Sequence, residues 1–173
     1  MKRSKLFSII LSTVLVLFTA LYQAAPAYAE VLGFTKFGPF TVFYEGRLTY
    51  TESILGGIHD YDVHYKNSTL YVNTSKYLII DTGYTTDKIV FEHDANAYLR
   101  LYSFSNSSSK PYPAIEVKSG KTVNLTLASG VEPVKTSIRN NAPAIKVDGT
   151  LNLNCGNNNV LENSAGYAIE GNT

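Results

Sequence analysis

Alternation of apolar and polar residues recurs along the second half of the chain, twice in nearly the same words. Pro113 to Leu127 reads PAIEVKSGKTVNLTL, and Pro143 to Asn154 reads PAIKVDGTLNLN. In the first copy Ile115, Val117, Val123, Leu125 and Leu127 fall on one face, with Glu116, Asn124 and Thr126 on the other. In the second, Ile145, Val147, Leu151 and Leu153 take the apolar slots, and Lys146, Asn152 and Asn154 the polar ones. A period of two marks a strand with one buried face. The turn between the runs is Lys118-Ser119-Gly120-Lys121-Thr122 in one copy and Asp148-Gly149-Thr150 in the other. Two residues disappear there and the apolar phase still returns, as it does when a turn lies outside a fixed core.

Fainter copies flank these two. Ile89-Val90-Phe91 followed by Ala97 to Leu101 aligns with the first at an offset of 26, which places Ile89, Phe91, Ala97, Leu99 and Leu101 inward. Tyr167-Ala168-Ile169-Glu170-Gly171 restates the opening, and Leu70-Tyr71-Val72 with Tyr77 to Ile80 forms an earlier copy whose register is ambiguous by one residue. The openings lie 26, 30 and 24 residues apart. Short β runs repeating at about 20–30 residues, punctuated by Gly, Asn and Ser, predict stacked coils. The expected fold class is all-β, a right-handed parallel β-helix (β-solenoid) over residues 68–173, with third strands at Val134 to Ile138 and Asn159 to Asn163. Equivalent outward residues would then stack at ~4.8 Å. Glu116, Lys146 and Glu170 would form an alternating-sign ladder, and Asn124 would lie over Asn152. Asn140, Asn141, Asn157, Asn158 and Asn159 suit turn corners, where Asn tolerates positive φ.

Residues 30–67 lack the repeat. Val31 to Phe34 and Phe40 to Tyr44 are apolar and aromatic, and Ser53 to Ile58 is Gly-rich. An open solenoid end must be covered, so this segment is read as an N-terminal cap. At the other end Gly171-Asn172-Thr173 falls within a new copy. A truncated C-terminus is expected there, completed by further coils or a partner.

The chain opens differently. Lys2, Arg3 and Lys5 precede an apolar run from Leu6 to Ala20, and Ala27-Tyr28-Ala29 supplies a small-x-small cleavage pattern. This is the layout of a secretory signal peptide over residues 1–29, Gram-positive in style, with cleavage after Ala29. The run falls short of the ~20 residues of a membrane span. No later run is as long, so no transmembrane segment is expected in the mature chain. The product is expected to be secreted or cell-wall associated. Removing residues 1–29 turns a formal charge of +1 into −2, with 12 basic against 14 acidic side chains. That balance argues against nucleic acid as a partner. Cys155 is the single cysteine, so no internal disulfide forms. It is expected to be a small buried hydrophobe, with an intermolecular disulfide as the alternative.

Three stretches carry a resemblance: Tyr77 to Ile80 with Lys88 to Phe91, the line from Ala114 to Leu127, and Ala165-Gly166-Tyr167-Ala168-Ile169. Together they resemble the parallel β-helix, pectate-lyase-like surface proteins secreted by Firmicutes, of the carbohydrate-binding-domain-containing type. The resemblance covers residues 68–173 and implies an extracellular scaffold with a glycan-facing surface, by analogy of fold. No cofactor is expected.

Catalytic chemistry is thin. β-Helix lyases use acidic calcium sites with an Arg or Lys base, and calcium takes about six to eight oxygens. The outward positions of the best coils offer only Glu116, Glu170 and Lys146. A hydrolase needs paired carboxylates, and Glu116 and Glu170 stand two coils apart. His59-Asp60-Tyr61-Asp62-Val63-His64 is the densest potential metal cluster, but it lacks a fourth ligand at a recognisable spacing. No catalytic residue and no metal site are nominated. For binding, Tyr71, Tyr98 and Tyr102 are assigned outward slots, with Arg100 between two of them. Sugar C–H faces stack on aromatic rings, and Arg hydrogen-bonds hydroxyls or acidic sugars. The expected function is a non-catalytic module for polysaccharide or cell-surface glycan. Two other readings stand beside it: a fragment of a β-helix polysaccharide lyase or glycoside hydrolase with its active site in missing coils, and a purely structural stalk.

Overall fold

The alternating runs become strands, and the strands sort into two sheets. The computed structural model describes residues 33–51, 61–107, 110–128 and 136–171, and there the chain is all-β with no helix. The segment 1–29 expected to be a signal peptide, Ser53 to Ile58, His59, Asp60 and Val134 lie outside the described residues. The strands are β1 (Gly33–Phe37), β2 (Phe40–Tyr44), β3 (Tyr50–Thr51), β4 (Val63–Lys66), β5 (Thr69–Val72), β6 (Tyr77–Thr85), β7 (Lys88–Phe91) and β8 (Ala95–Asn106). They continue as β9 (Ile115–Val117), β10 (Thr122–Leu127), β11 (Thr136–Asn140), β12 (Ile145–Val147), β13 (Thr150–Cys155), β14 (Val160–Asn163) and β15 (Ile169–Gly171).

One sheet has eight strands in the order β1-β2-β6-β8-β10-β13, with β11 beside the far half of β8 and β14 beside β11. The other has seven, in the order β15-β12-β9-β7-β5-β4-β3. From β5 onward the chain passes repeatedly from one sheet to the other, and every pairing between successive passes is parallel. Antiparallel pairing is confined to the N-terminal side, where β1 pairs β2, β2 pairs β6 and β4 pairs β5.

Equivalent apolar residues stack between the sheets. On the seven-stranded side Leu70, Ile89, Ile115, Ile145 and Ile169 are in register. From Ile89 onward their intervals are 26, 30 and 24, those of the repeat. On the eight-stranded side Leu78, Ala97, Leu125 and Leu153 form one column. That column corrects the sequence alignment, because β8 pairs β10 at an offset of 28 rather than 26. The turn from Phe91 to Ala95 is two residues shorter than the one from Val117 to Val123, so Ala95 rather than Ala97 takes the slot of Val123. Leu101 is displaced from its expected inward position. Ile80 pairs Leu99 while Asp81 pairs Leu101, so Arg100 is an extra residue in β8. Such a bulge reverses the facing of the residues after it. Leu101 is half-buried, and Tyr102, Phe104 and Asn106 point inward instead.

Two glycines shape the repeated turn for different reasons. Gly120 adopts φ +71°, in the left-handed region, with open space around it. Gly149 sits against the preceding turn, where an added Cβ would lie 2.3 Å from the Lys121 carbonyl oxygen and 2.5 Å from that of Lys118. The shorter second turn therefore nests on the first, and Thr150 N donates to Lys121 O across 2.8 Å.

Burial falls towards the last strands. Val123, Leu125 and Leu127 are buried, whereas Leu151 and Leu153 beside them are half-buried and Cys155 is exposed. Cys155 occupies the inward slot of Leu127, but no described strand lies beyond β13 in this sheet. Its expected burial is thus corrected. Because a cavity costs more where surroundings are closed, Leu125→Ala should destabilise the fold by about 2–5 kcal/mol. Leu153→Ala should cost clearly less. Urea unfolding of the two variants checks this, and equal losses would contradict the burial gradient.

Candidate functional site

The outer faces of the two sheets differ in chemistry because different residues alternate with the two halves of the core. On the seven-stranded sheet the outward row is His64, Tyr71, Val90, Glu116, Lys146 and Glu170. The register places Lys146 between Glu116 and Glu170, yet the ion pairs form elsewhere. Glu116 accepts from Lys88 Nζ at 2.7 Å and Lys118 Nζ at 2.8 Å, while Lys146 lies 3.1 Å from Asp148. Burial alone would raise the Glu116 pKa, but the hydrogen bonds from Lys118 and Lys88 outweigh it and hold the carboxyl below its usual range. The same contact raises Lys118. A carboxylate held ionised in this way is a poor general acid.

His64 stacks on Tyr71, with ring centroids 4.5 Å apart and planes 12° apart. Desolvation lowers the His64 pKa. Asp62, from the suspected metal cluster, instead binds Lys76 Nζ at 2.8 Å and accepts Thr49 N at 2.7 Å.

On the eight-stranded sheet one outward row crosses six strands: Phe34, Phe43, Ile79, Tyr98, Thr126 and Asn154. Phe34 is 62% exposed, and its ring centroid lies 5.9 Å from that of half-buried Phe43. The Arg100 guanidinium covers Phe43 at 4.9 Å from the centroid and pairs with Asp81, whose Oδ2 accepts Nε at 3.1 Å. A second row lies beside the first. Tyr77, 49% exposed, is followed in register by Asn96, Asn124 and Asn152. Asn152 Nδ2 donates to Asn124 Oδ1 and Asn124 Nδ2 to Asn96 Oδ1, both at 2.8 Å, and Asn96 Nδ2 donates to Ser75 O at 3.3 Å. Burial, and then the neighbouring Tyr98 and Glu45, raise the Tyr77 pKa, so its hydroxyl stays protonated at neutral pH.

The four residues singled out in the sequence are therefore dispersed. Tyr98 and Arg100 share the outer face of the eight-stranded sheet. Tyr71 belongs to the other sheet, against His64. Tyr102 is fully buried, correcting its outward assignment. The bulge at Arg100 turns it inward, where its hydroxyl proton sits between the carbonyl oxygens of Asp87 at 2.9 Å and Ala114 at 3.1 Å. Its ring packs between Phe40 and Phe104, at 6.2 and 6.0 Å.

Sequence reasoning missed Phe34, Phe43, Tyr77 and Asn96 as site residues. The first two belong to a non-repeating antiparallel hairpin, which nothing in the repeat could align. Asn96 was hidden by the two-residue misalignment of β8, although Asn at the same alternating phase in β10 and β13 was a visible signal. No family model, no curated protein and no solved structure matches the chain.

Because the folded Glu116 pKa is depressed from its ordinary 4.5, its pairing stabilises the fold fully above that value and is lost as pH falls through the lower folded pKa. The melting temperature of Glu116→Gln should therefore lie below that of the native chain at pH 7, with the gap closing below about pH 4. A gap independent of pH would contradict the assignment.

Proposed function

We propose that the chain is a secreted, non-catalytic carbohydrate-binding module built as a right-handed parallel β-helix. Residues 30–67 act as its cap, and the outer face of the eight-stranded sheet is its binding surface. The coil reading is supported by the regular passage between sheets, the parallel registers and the 26-, 30- and 24-residue intervals. The segment 1–29 supports export, and the resemblance to secreted surface proteins agrees with both.

The observation that carries the function is the outward row Phe34, Phe43 and Tyr98, with Tyr77 alongside. Aromatic rings on a solvated sheet face give up favourable burial, and pyranose rings recover it by placing their C–H faces on the aromatic faces. Arg100, half-exposed over Phe43, adds donors for ring hydroxyls. Retention of the exported chain on a panel of immobilised polysaccharides tests the reading. Tyr98→Ala and Tyr77→Ala should each weaken binding by roughly tenfold, the equivalent of about 1.4 kcal/mol. Tyr71→Ala should leave it unchanged. If the native chain is retained on no polysaccharide, or if Tyr71→Ala is as damaging as Tyr98→Ala, the reading is wrong.

A further inference from the structure

We infer that the asparagine ladder Asn96–Asn124–Asn152 is the second half of the binding surface, and that its ligand is an extended, uncharged glycan lying across the strands. This rests on the carbohydrate-binding reading of the aromatic row and goes on to specify the length, direction and charge class of the ligand.

Three observations carry it. The first is the residue type. Asn is depleted from strands because its amide competes with the backbone and packs poorly on a pleated surface. Three consecutive passes nevertheless place Asn at the same outward position, on β8, β10 and the terminal strand β13. Each amide spends one N–H along the ladder, in the 2.8 Å bonds from Asn152 to Asn124 and from Asn124 to Asn96 and the 3.3 Å bond from Asn96 to Ser75 O. Each amide carries a second N–H besides. Every rung thus presents a fixed donor beside a carbonyl oxygen, which suits hydroxyls that both accept and donate.

The second observation is the geometry. Both rows run perpendicular to the strands, and the aromatic row continues into the polar Thr126 and Asn154. From β1 to β13 six strands are crossed, five spacings of ~4.8 Å or about 24 Å. An extended β-linked glycan advances by about one such spacing per sugar. Against β10 and β13 lies an open groove of about 560 Å³, lined by residues 124–126 and 151–154, a mixture of Asn, Thr and Leu.

The third observation is charge. The ionisable side chains bordering the rows include Lys36, Glu45, Asp81, Arg100 and Asp94, whose Oδ1 accepts Thr122 N at 2.7 Å beside the ladder. Three acidic groups stand against two basic ones, and Arg100 is already paired with Asp81. The ladder itself carries none. A polyuronate would find no net positive field here.

The test is calorimetric titration of the exported chain with cello-, manno-, xylo- and chito-oligosaccharides, from disaccharide to hexasaccharide, with oligogalacturonates as the charged series. A neutral series should bind, its affinity rising at least tenfold from trisaccharide to hexasaccharide. Asn124→Thr, which favours the strand, should remove most of that rise while leaving the melting temperature unchanged or higher. Asn152→Thr should act in the same direction. Equal affinity for trisaccharide and hexasaccharide would overturn the inference and leave the aromatic site standing. So would Asn variants that melt lower yet bind the hexasaccharide normally, since the ladder would then be structural. Stronger binding of the galacturonates would overturn the charge class. If no oligosaccharide binds, the carbohydrate reading falls, and this inference with it.

Discussion

Parallel, in-register stacking of inward aliphatic side chains is the constraint on which the rest of this structure depends. Ile89 over Ile115 over Ile145, and Leu78 over Ala97 over Leu125, bury apolar surface continuously between two sheets, and burial of this kind is the main favourable term in folding. The stack fixes which residue of each pass lies beside which residue of the next. Because side chains alternate strictly along a strand, the outward rows are fixed by the same act. The aromatic row and the asparagine ladder are thus by-products of core register, and a slip of one residue in any pass would destroy both.

The stack also explains where the fold departs from regularity. A parallel array leaves its first strands unpaired on one side. Here the direction reverses there: β2 runs antiparallel to β6 and β4 antiparallel to β5, while Phe37, Phe40 and Val42 are buried with the core. The bulge at Arg100 serves a related need. β8 spans two sides that later passes divide between β10 and β11, and between β13 and β14. The inversion lets one strand face the core on both sides, swings Tyr102 onto the carbonyls of Asp87 and Ala114, and leaves Arg100 outside to meet Asp81. One extra residue places an internal strut and a surface cation together.

Much of this was legible in the sequence, for a physical reason. The inward residues of β9, β10, β12 and β13 answer to packing alone, so two passes with the same neighbours converge on the same words. Asn124 over Asn152 was readable because the apolar residues on either side of each Asn match in the two copies. Legibility failed where a feature depends on a count rather than a pattern. The shorter turn before Ala95 moved β8 by two residues and concealed Asn96, and the bulge reversed the facing of Tyr102, which strict alternation had put outside. Burial of Cys155 was expected because free cysteines are commonly buried; it does take an inward slot, but its exposure depends on what covers β13. Phe34 and Phe43 reach the site through an antiparallel hairpin, and no repeat announces a partner outside itself.

The account depends most directly on the register of β8 between β6 and β10, since both outward rows pass through it. Interstrand amide-to-Hα nuclear Overhauser effects in the folded chain measure that register. Contacts should link the neighbourhood of Leu125 to Ala97 and to Leu153, an offset of 28 on either side, and Leu78 to Ala97 at an offset of 19. Contacts of Leu125 to Leu99 at an offset of 26, or an antiparallel pattern between β8 and β10, would dissolve the ladder and contradict the account.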